Sequence, residues 1–260
     1  MAVVGAILGD IAGSQYEFHR PEGLDFHHCE LFTERCRFTD DTVMTLAVKK
    51  AILEKKDLTD TMREIGQLYP DSGYGGNFYY WMFGERPKPY NSFGNGSAMR
   101  VSFVGEYFQD ISEVIHAAEK TALVSHNHPE GVKGAVVTAV CIWMAKNGKS
   151  RQEIYDYVLT QYPPADYEFS IDKDMEYLRK HYRWNETCMG SVPAAIRCFY
   201  DSDSFETFMR NVFSFDCDSD TLGAIGGAVA EEFYHGVGFD AEPILKKYLD
   251  ERLYTLSREA

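Results

Sequence analysis

Apolar residues recur at helical spacing along most of the chain, and the pattern breaks where Gly, Pro and Asp cluster. The apolar start, residues 1–9, predicts a buried helix rather than a signal peptide, because it lacks a basic leader and runs directly into Asp10. Further helices are predicted at residues 42–53, 112–123, 132–146, 150–161, 191–200, 204–213, 221–234 and 241–249. Residues 132–146 are apolar nearly throughout, which predicts a central helix, with a strand as the minor alternative because several are β-branched. The expected fold class is all-α.

The segments between the predicted helices are short. The main irregular connections, residues 70–76, 86–96 and 162–166, adjoin helix-like apolar sequence directly, which is not typical of a linker between domains. A chain of 260 residues is also long enough to bury one large core. We therefore expect a single compact multi-helix domain over residues 1–260.

The chain is acidic, with a formal net charge of −14 and no run of Lys or Arg. Affinity for duplex nucleic acid comes largely from basic side chains that displace counterions from phosphates, so duplex nucleic acid is not an expected partner. A small phosphate ester remains compatible, because metal ions and backbone N–H groups bind phosphate without basic side chains. No stretch approaches the roughly 20 apolar residues that span a bilayer, so no membrane partner is expected.

Six cysteines are scattered along the chain without a C-x-x-C pair. This spacing indicates neither a zinc site nor a dense disulfide framework. Free thiols fit a reducing compartment best, so we expect a cytoplasmic protein.

Two adjacent carboxylates, Asp40 and Asp41, stand between Thr39 and Thr42 just before the predicted helix 42–53. One Thr or Asp would suffice to cap this helix by accepting hydrogen bonds from its first free N–H groups, and capping alone remains an alternative. Two neighbouring like charges are unfavourable unless a cation neutralises them. The cluster is therefore a candidate metal site.

A second acidic cluster has Asp216, Asp218 and Asp220 at alternate positions, followed by Thr221 and a run of small residues at 223–230. Oxygen-rich sets of this kind suit hard cations such as Mg²⁺, Mn²⁺ or Ca²⁺. An EF-hand is not indicated, because the Gly expected at the sixth loop position is absent and no acidic helix precedes the loop. The small residues predict a helix that packs closely against a neighbour.

The two clusters lie near opposite ends of the sequence, and together they suggest one site assembled by the fold. Two metal ions about 3.5–4 Å apart need several bridging carboxylates. Four acids of the clusters would supply them, namely Asp40, Asp41, Asp218 and Asp220. The expected cofactors are two divalent cations, Mg²⁺ or Mn²⁺, in a binuclear metal site.

Five segments of the chain carry a resemblance to a known family. They are residues 9–17 (GDIAGSQYE), residues 38–42 (FTDDT), residues 92–100 (SFGNGSAMR), Ser125-His126 with Gly131 and Gly134, and residues 218–223 (DSDTLG). In this order they resemble the ADP-ribosylglycohydrolases, which include dinitrogenase-reductase-activating glycohydrolase and the ADP-ribosyl-acceptor hydrolases. The resemblance implies an ADP-ribosylglycohydrolase-like helical domain. Its implied activity is metal-dependent release of ADP-ribose from an ADP-ribosylated protein or a small ADP-ribosyl conjugate, by a metal-held water that attacks the anomeric ribose carbon.

The resemblance also implies roles for individual residues. The metal ligands would be Thr39, Asp40, Asp41, Asp218, Asp220 and Thr221. The substrate would contact Ser92, Phe93, Gly94, Asn95, Gly96 and His126. The loop 92–96 would surround the diphosphate and the ribose, and the ring of Phe93 would stack on adenine. The catalytic carboxylates would be Glu17, Asp41 and Asp218. Of these, Glu17 matches a glutamate on a mobile loop, and either Glu17 or Asp218 would serve as the general base.

One position departs from the family pattern, because many relatives have two glycines ahead of the last acidic motif where this chain has Asp216 and its neighbours. We assign no role to Asp216. From spacing alone, His126 and His128 would stabilise a turn before Pro129, and Glu17 would be a surface acid. The glycines of loop 92–96 would serve either a plain turn or a diphosphate.

Two other functions also stay open. An acidic two-metal helical site would equally serve a nucleotide phosphohydrolase, and the resemblance extends to a non-catalytic eye-lens crystallin. The sequence does not indicate the acceptor or the oligomeric state.

Overall fold

The computed structural model describes residues 2–259, and every regular element among them is a helix. The helices are α1 (Ala2–Gly13), α2 (Asp40–Leu53), α3 (Leu58–Gly66), α4 (Gly76–Phe83), α5 (Gly96–Met99), α6 (Ser102–Tyr107), α7 (Ile111–Leu123), α8 (Pro129–Lys146), α9 (Arg151–Gln161), α10 (Met175–His181), α11 (Cys188–Tyr200), α12 (Phe205–Phe213), α13 (Ser219–Tyr234), α14 (Glu242–Tyr248) and α15 (Glu251–Arg258). An isolated antiparallel bridge joins Gly94 to Thr187. The all-α prediction is confirmed. Residues 132–146 belong to α8, so the strand alternative is wrong. Met1, part of the predicted first helix, lies outside the described residues.

Several short helices were not predicted from the sequence pattern. The clearest are α4 and α10, of 8 and 7 residues. Helices this short complete about two turns, so they show too little apolar periodicity to be recognised. The α10 helix instead begins at a side-chain cap, where Asp174 accepts a hydrogen bond from the backbone N–H of Tyr177.

Glycines on α1 and α13 let these two helices pack with their backbones in direct contact. A Cβ on Gly9 would lie 2.0 Å from the carbonyl oxygen of Gly223, and a Cβ on Gly5 would lie 2.3 Å from that of Gly227. Only glycine avoids both overlaps. The prediction that residues 223–230 lie in a helix packed closely against a neighbour is confirmed, and the neighbour is the apolar first helix.

The hydrophobic core is one connected cluster of buried apolar side chains that runs through the described residues. Helix α8 lies at its centre, as predicted, and contacts α7, α6, α13, α5, α11 and α9. Its Val137 and Ile142 are fully buried, as is Phe199 on α11. Residues 2–259 thus form one compact helical domain. None of the helices in this range has both the length and the apolar character needed to cross a bilayer.

Candidate active site

A cleft of about 640 Å³ lies at the N-terminal ends of α2 and α13. Its floor brings together members of both acidic clusters, Asp40, Asp41, Asp218, Asp220 and Thr221. The two clusters touch directly, because Thr221 Oγ1 donates a hydrogen bond to Asp41 Oδ2 at 3.3 Å, across 180 residues of sequence. The fold therefore assembles one acidic site from the two ends of the chain.

Carboxylates at the floor form two adjoining sets, and Asp40 lies outside both. Asp10, Asp41 and Asp220 make one set, and Glu17, Asp218 and Asp220 make the other. In each set, carboxylate oxygens lie within 4.8 Å of one another. Asp220 belongs to both, so the sets share one carboxylate.

Thr39 and Asp40 hold the start of α2 in place. Thr39 caps the helix and accepts a hydrogen bond from the backbone N–H of Asp41 at 3.2 Å. The backbone N–H of Asp40 donates to the carbonyl oxygen of Ser72 at 2.8 Å. Since Thr39 already provides the cap, neither carboxylate is needed for that purpose. Capping therefore does not account for the pair.

Asp10 belongs to this site although the sequence analysis did not predict it. Its carboxylate accepts hydrogen bonds from the backbone N–H groups of Thr39 and Thr42, at 2.9 and 3.1 Å, and from the hydroxyls of both threonines. With four donors on one carboxylate, Asp10 fixes the first turn of α2. The available signal was a single acid within an otherwise apolar, buried helix, where an unpaired charge is costly.

Burial makes the acids of the floor resist ionisation. Desolvation, followed by the charge of Asp220, raises the pKa values of Asp40, Asp41 and Asp218 well above their usual range. The same causes raise the pKa of Asp10 to about 7. A cluster of buried carboxylates is stabilised in its ionised form when cations lie among them.

One oxygen of Asp41 lacks a partner. Asp41 Oδ1 is buried and makes no hydrogen bond to any atom of residues 2–259. A buried carboxylate oxygen left without a partner costs free energy. Carboxylate and hydroxyl oxygens are the ligands that hard divalent cations prefer, so the residues present fit such ions.

Asn95 links the glycine-containing loop to the acidic floor. Its Nδ2 donates to Asp218 Oδ2 at 2.6 Å and lies 2.9 Å from Ser191 Oγ, to which it also donates. The residue lines the cleft, but its side chain is engaged with these two groups. Asn95 therefore orients Asp218, a role that the sequence analysis did not predict.

Glu17 lies in the connection between α1 and α2 and reaches the second carboxylate set. Desolvation and then the charge of Asp220 raise its pKa to about 9. The next residue, Phe18, is 64% exposed, and its ring lies 6.1 Å from that of Trp184, which also lines the cleft. Glu17 is half-buried beside the acidic floor, so the interpretation as a plain surface acid is wrong.

Backbone hydrogen bonds hold the loop 92–96 against residues 186–188. The N–H of Asn95 donates to the carbonyl oxygen of Glu186 at 2.8 Å, and the N–H of Cys188 donates to that of Phe93 at 2.9 Å. All five predicted loop residues line the cleft, namely Ser92, Phe93, Gly94, Asn95 and Gly96. The loop is therefore a fixed wall of the cleft. Phe93 is 44% exposed, which leaves its ring open to a ligand.

His126 is buried behind this wall, with 4% of its surface exposed. Its Nδ1 lies 2.8 Å from Ser125 Oγ, and its Nε2 would lie 3.2 Å from a Cβ placed on Gly96. Burial is the main cause that holds the pKa of His126 well below its usual range, and the positive charge of Arg100 adds to it. The ring is therefore neutral near pH 7. The turn-stabilising role predicted from spacing is found at His128, whose Nδ1 accepts a hydrogen bond from the N–H of Glu130 at the start of α8.

Asp216 stands apart from the site. Its side chain is exposed, and it does not line the cleft, although it lies two residues before Asp218. The departure from the family pattern therefore does not add a carboxylate to the acidic floor.

Comparisons with known proteins find a matching family model, similar sequences and a similar fold. The family model described as ADP-ribosylglycohydrolase matches residues 1–230. The protein named ADP-ribosylhydrolase ARH3 from Mus musculus is 26% identical over 305 residues, which cover 89% of this chain and 82% of the relative. Its Homo sapiens counterpart is 25% identical over 313 residues, with coverages of 93% and 85%. A solved structure named ADP-ribosylglycohydrolase-related protein complex has the same fold, with a TM-score of 0.75 at 21% identity over 98% of this chain and 94% of that one.

Proposed function

Because the chain belongs to the ADP-ribosylglycohydrolase family, we propose that it is a metal-dependent hydrolase that releases ADP-ribose from an ADP-ribosylated protein or a small ADP-ribosyl conjugate. The bond to be cleaved joins the anomeric carbon of the ribose to a nitrogen or oxygen of the acceptor. In hydrolysis, the hydroxyl of water joins that carbon and the acceptor atom leaves with a proton. The relatives named ADP-ribosylhydrolase support this reaction class.

The observation that carries the proposal is the pair of carboxylate sets sharing Asp220 at the floor of a cleft. Together with the unpartnered Asp41 Oδ1, it supports two divalent cations, Mg²⁺ or Mn²⁺. The proposed ligands are Thr39, Asp40, Asp41, Asp218, Asp220 and Thr221. When bound, the cations would supply Lewis acidity and a water that is nucleophilic at neutral pH.

The protein's own carboxylates complete the chemistry. Glycosidic cleavage passes through an oxocarbenium-like state, which nearby negative charge stabilises. Either Glu17 or Asp218 would accept the proton of the attacking water, because both belong to the carboxylate set that contains Asp220. The hydrogen bond from Asn95 holds Asp218 in a fixed orientation for this step.

The loop 92–96 and His126 would bind the ADP-ribosyl group. Gly94 and Gly96 lack side chains, so a diphosphate can approach the backbone of this loop closely. The exposed ring of Phe93 would stack on adenine. The cleft volume of about 640 Å³ lies within the range of pockets that hold ligands of this size.

Product analysis tests the proposed reaction. The protein is incubated with an ADP-ribosylated peptide and with a small ADP-ribosyl conjugate, with Mg²⁺, with Mn²⁺ or with EDTA. We expect intact ADP-ribose in the presence of either cation and no turnover with EDTA. AMP and a conjugate that still carries phosphoribose would instead establish the nucleotide phosphohydrolase, and metal binding without turnover of any conjugate would indicate a non-catalytic protein.

A matched pair of variants separates the site from the general acidity of the chain. Asp41→Asn removes a buried carboxylate of the floor, whereas Asp216→Asn removes an exposed one two residues from Asp218. We expect turnover to fall by at least about 100-fold in the first variant and to stay within about twofold in the second. Equal activity of the two variants would contradict the proposed site.

The proposal also includes a cytoplasmic location and a single domain over residues 1–260. The location is supported by the six cysteines, which are all free. The single domain is supported by the connected core of the described residues.

A further inference from the structure

A buried chain of hydrogen bonds leads from Arg100 to His126. Arg100 is fully buried at the end of α5, and its Nη2 donates to the carbonyl oxygen of Thr121 at 2.7 Å and to Ser125 Oγ at 2.9 Å. Ser125 is also fully buried, and its Oγ lies 2.8 Å from His126 Nδ1. This series of hydrogen bonds ends at the His126 ring, which lines the cleft.

The direction of these bonds follows from the chemistry of the groups. A guanidinium has donors and no acceptor, so Ser125 Oγ accepts from Arg100 and keeps its own proton. Within residues 2–259, the acceptor in reach of that proton is His126 Nδ1. If Nδ1 carried a proton, Arg100 and His126 would both donate to Ser125, and a buried hydroxyl proton would be left without an acceptor, which is unfavourable. Nδ1 is therefore the acceptor, and the neutral ring carries its proton on Nε2.

The protonated nitrogen lies beside the substrate-binding loop. A Cβ on Gly96 would lie 3.2 Å from His126 Nε2, and a Cβ on Gly94 would lie 3.6 Å from it. Both positions lack a side chain, so a ligand can approach Nε2 across the loop.

We propose that Arg100 and Ser125 are positioning residues that fix neutral His126 in its Nε2–H tautomer, so that it donates a hydrogen bond to a phosphate oxygen of the ADP-ribosyl group. The identity of the ligand rests on the proposed function, whereas the tautomer does not. Phosphate oxygens only accept hydrogen bonds, so the opposite tautomer would present a lone pair to them and would weaken binding. The serine and arginine act through His126 and need not touch the substrate.

Nitrogen NMR of histidine-labelled protein tests the tautomer directly, in the wild-type chain and without any ligand. We expect the His126 signals of a protonated Nε2 and an unprotonated Nδ1. In Ser125→Ala, which removes the hydroxyl donor, we expect a mixture of tautomers, and Ser125→Thr should restore the wild-type pattern. Ser102→Ala is the matched control, because it removes a buried hydroxyl without a hydrogen-bond partner in the described residues. A protonated Nδ1 in the wild type, or an unchanged pattern in Ser125→Ala, would overturn the proposal.

Calorimetric titration with free ADP-ribose and steady-state kinetics test the consequence. We expect Ser125→Ala to weaken ADP-ribose binding and raise KM by about tenfold, with kcat within about threefold of wild type, while Ser125→Thr and Ser102→Ala stay near wild type. Adenosine, which lacks phosphate, should bind equally to all variants. Unchanged ADP-ribose affinity in Ser125→Ala would refute the phosphate contact. Failure of the wild type to bind ADP-ribose or to hydrolyse any conjugate would instead count against the proposed function, with the tautomer still decided by NMR.

Discussion

The carboxylate of Asp10 accepts two hydrogen bonds from Thr39, one from its backbone N–H at 2.9 Å and one from its hydroxyl at 2.8 Å. The hydroxyl of Thr39 also lies 3.3 Å from Asp41 Oδ2, to which it donates more weakly. Asp10 therefore orients the hydroxyl proton of Thr39. This orientation determines which lone pairs of the Thr39 hydroxyl oxygen are available to a cation. A buried residue on α1 thus orients Thr39, a proposed ligand that caps α2.

We predict that Asp10→Asn weakens cation binding while leaving the fold intact. In the wild type, N–H and hydroxyl donors of Thr39 and Thr42 bond to both carboxylate oxygens of Asp10. In the variant, the amide NH₂ would replace one of these acceptors with a donor, so the side chain of Thr39 or Thr42 would have to reorient. Loss of such a supporting partner typically lowers metal affinity by about 10–100-fold. Calorimetric titration with Mn²⁺ measures the effect, and Asp216→Asn serves as the exposed control. If Asp10→Asn bound Mn²⁺ as tightly as the control, Asp10 would have no part in orienting the site.

The sequence predicted the helices and acids with strong local signals. Helix α8 was predicted from its apolar length, and the acidic floor was predicted because Asp40 and Asp41 exceed what a helix cap needs. Asp10 was not predicted, because nothing within its own apolar segment shows which donors surround it. Its partners Thr39 and Thr42 lie 29 and 32 residues away.

The other contacts missed by the sequence analysis are likewise long-range. Asn95 meets Asp218 across 123 residues, and Arg100 meets Ser125 across 25. Local periodicity reports which face of a helix is buried, but it does not report which polar groups meet once helices pack. Such pairings depend on helix packing, so they became visible only in the folded chain.

The close approach of α1 and α13 predicts a large effect for Gly9→Ala. The new Cβ would lie 2.0 Å from the Gly223 carbonyl oxygen, a backbone atom that cannot move without separating the helices. Overpacking of this kind costs about 3 kcal/mol, which corresponds to a fall in Tm of roughly 10 °C for a domain of this size. Thermal unfolding followed by circular dichroism provides the measurement. Gly75→Ala, where a Cβ meets no atom within 4 Å, should change Tm by no more than a degree or so.

Glu231 predicts a pH dependence of stability. Its side chain is 3% exposed and accepts a hydrogen bond from the N–H of Gly5 at 2.5 Å, and burial raises its pKa from 4.5 to about 8. Because the folded pKa lies above the unfolded value, the stabilising contribution is complete below about pH 4.5 and is lost as pH rises through about 8.

Glu231→Gln should remove this dependence. We expect the variant to gain stability relative to wild type by a few kcal/mol between pH 5 and pH 9, since each pKa unit corresponds to about 1.4 kcal/mol. Urea unfolding at both pH values measures the difference. Glu22→Gln, at an exposed loop position, should show no such gain. A stability difference between Glu231→Gln and wild type that stays constant from pH 5 to pH 9 would contradict the raised pKa.

The exposed ring of Phe93 predicts a ligand-dependent loss of affinity. Phe93→Ala should weaken binding of free ADP-ribose by about tenfold, because stacking of a base on an aromatic side chain contributes about 1–3 kcal/mol. Phe93→Tyr keeps the ring and should bind ADP-ribose within about twofold of wild type. Ribose 5-phosphate lacks the base, so its affinity should be the same for all three proteins. Calorimetric titration with both ligands separates the possibilities: an equal loss for ADP-ribose and ribose 5-phosphate in Phe93→Ala would mean that the ring supports the loop 92–96 and does not contact adenine.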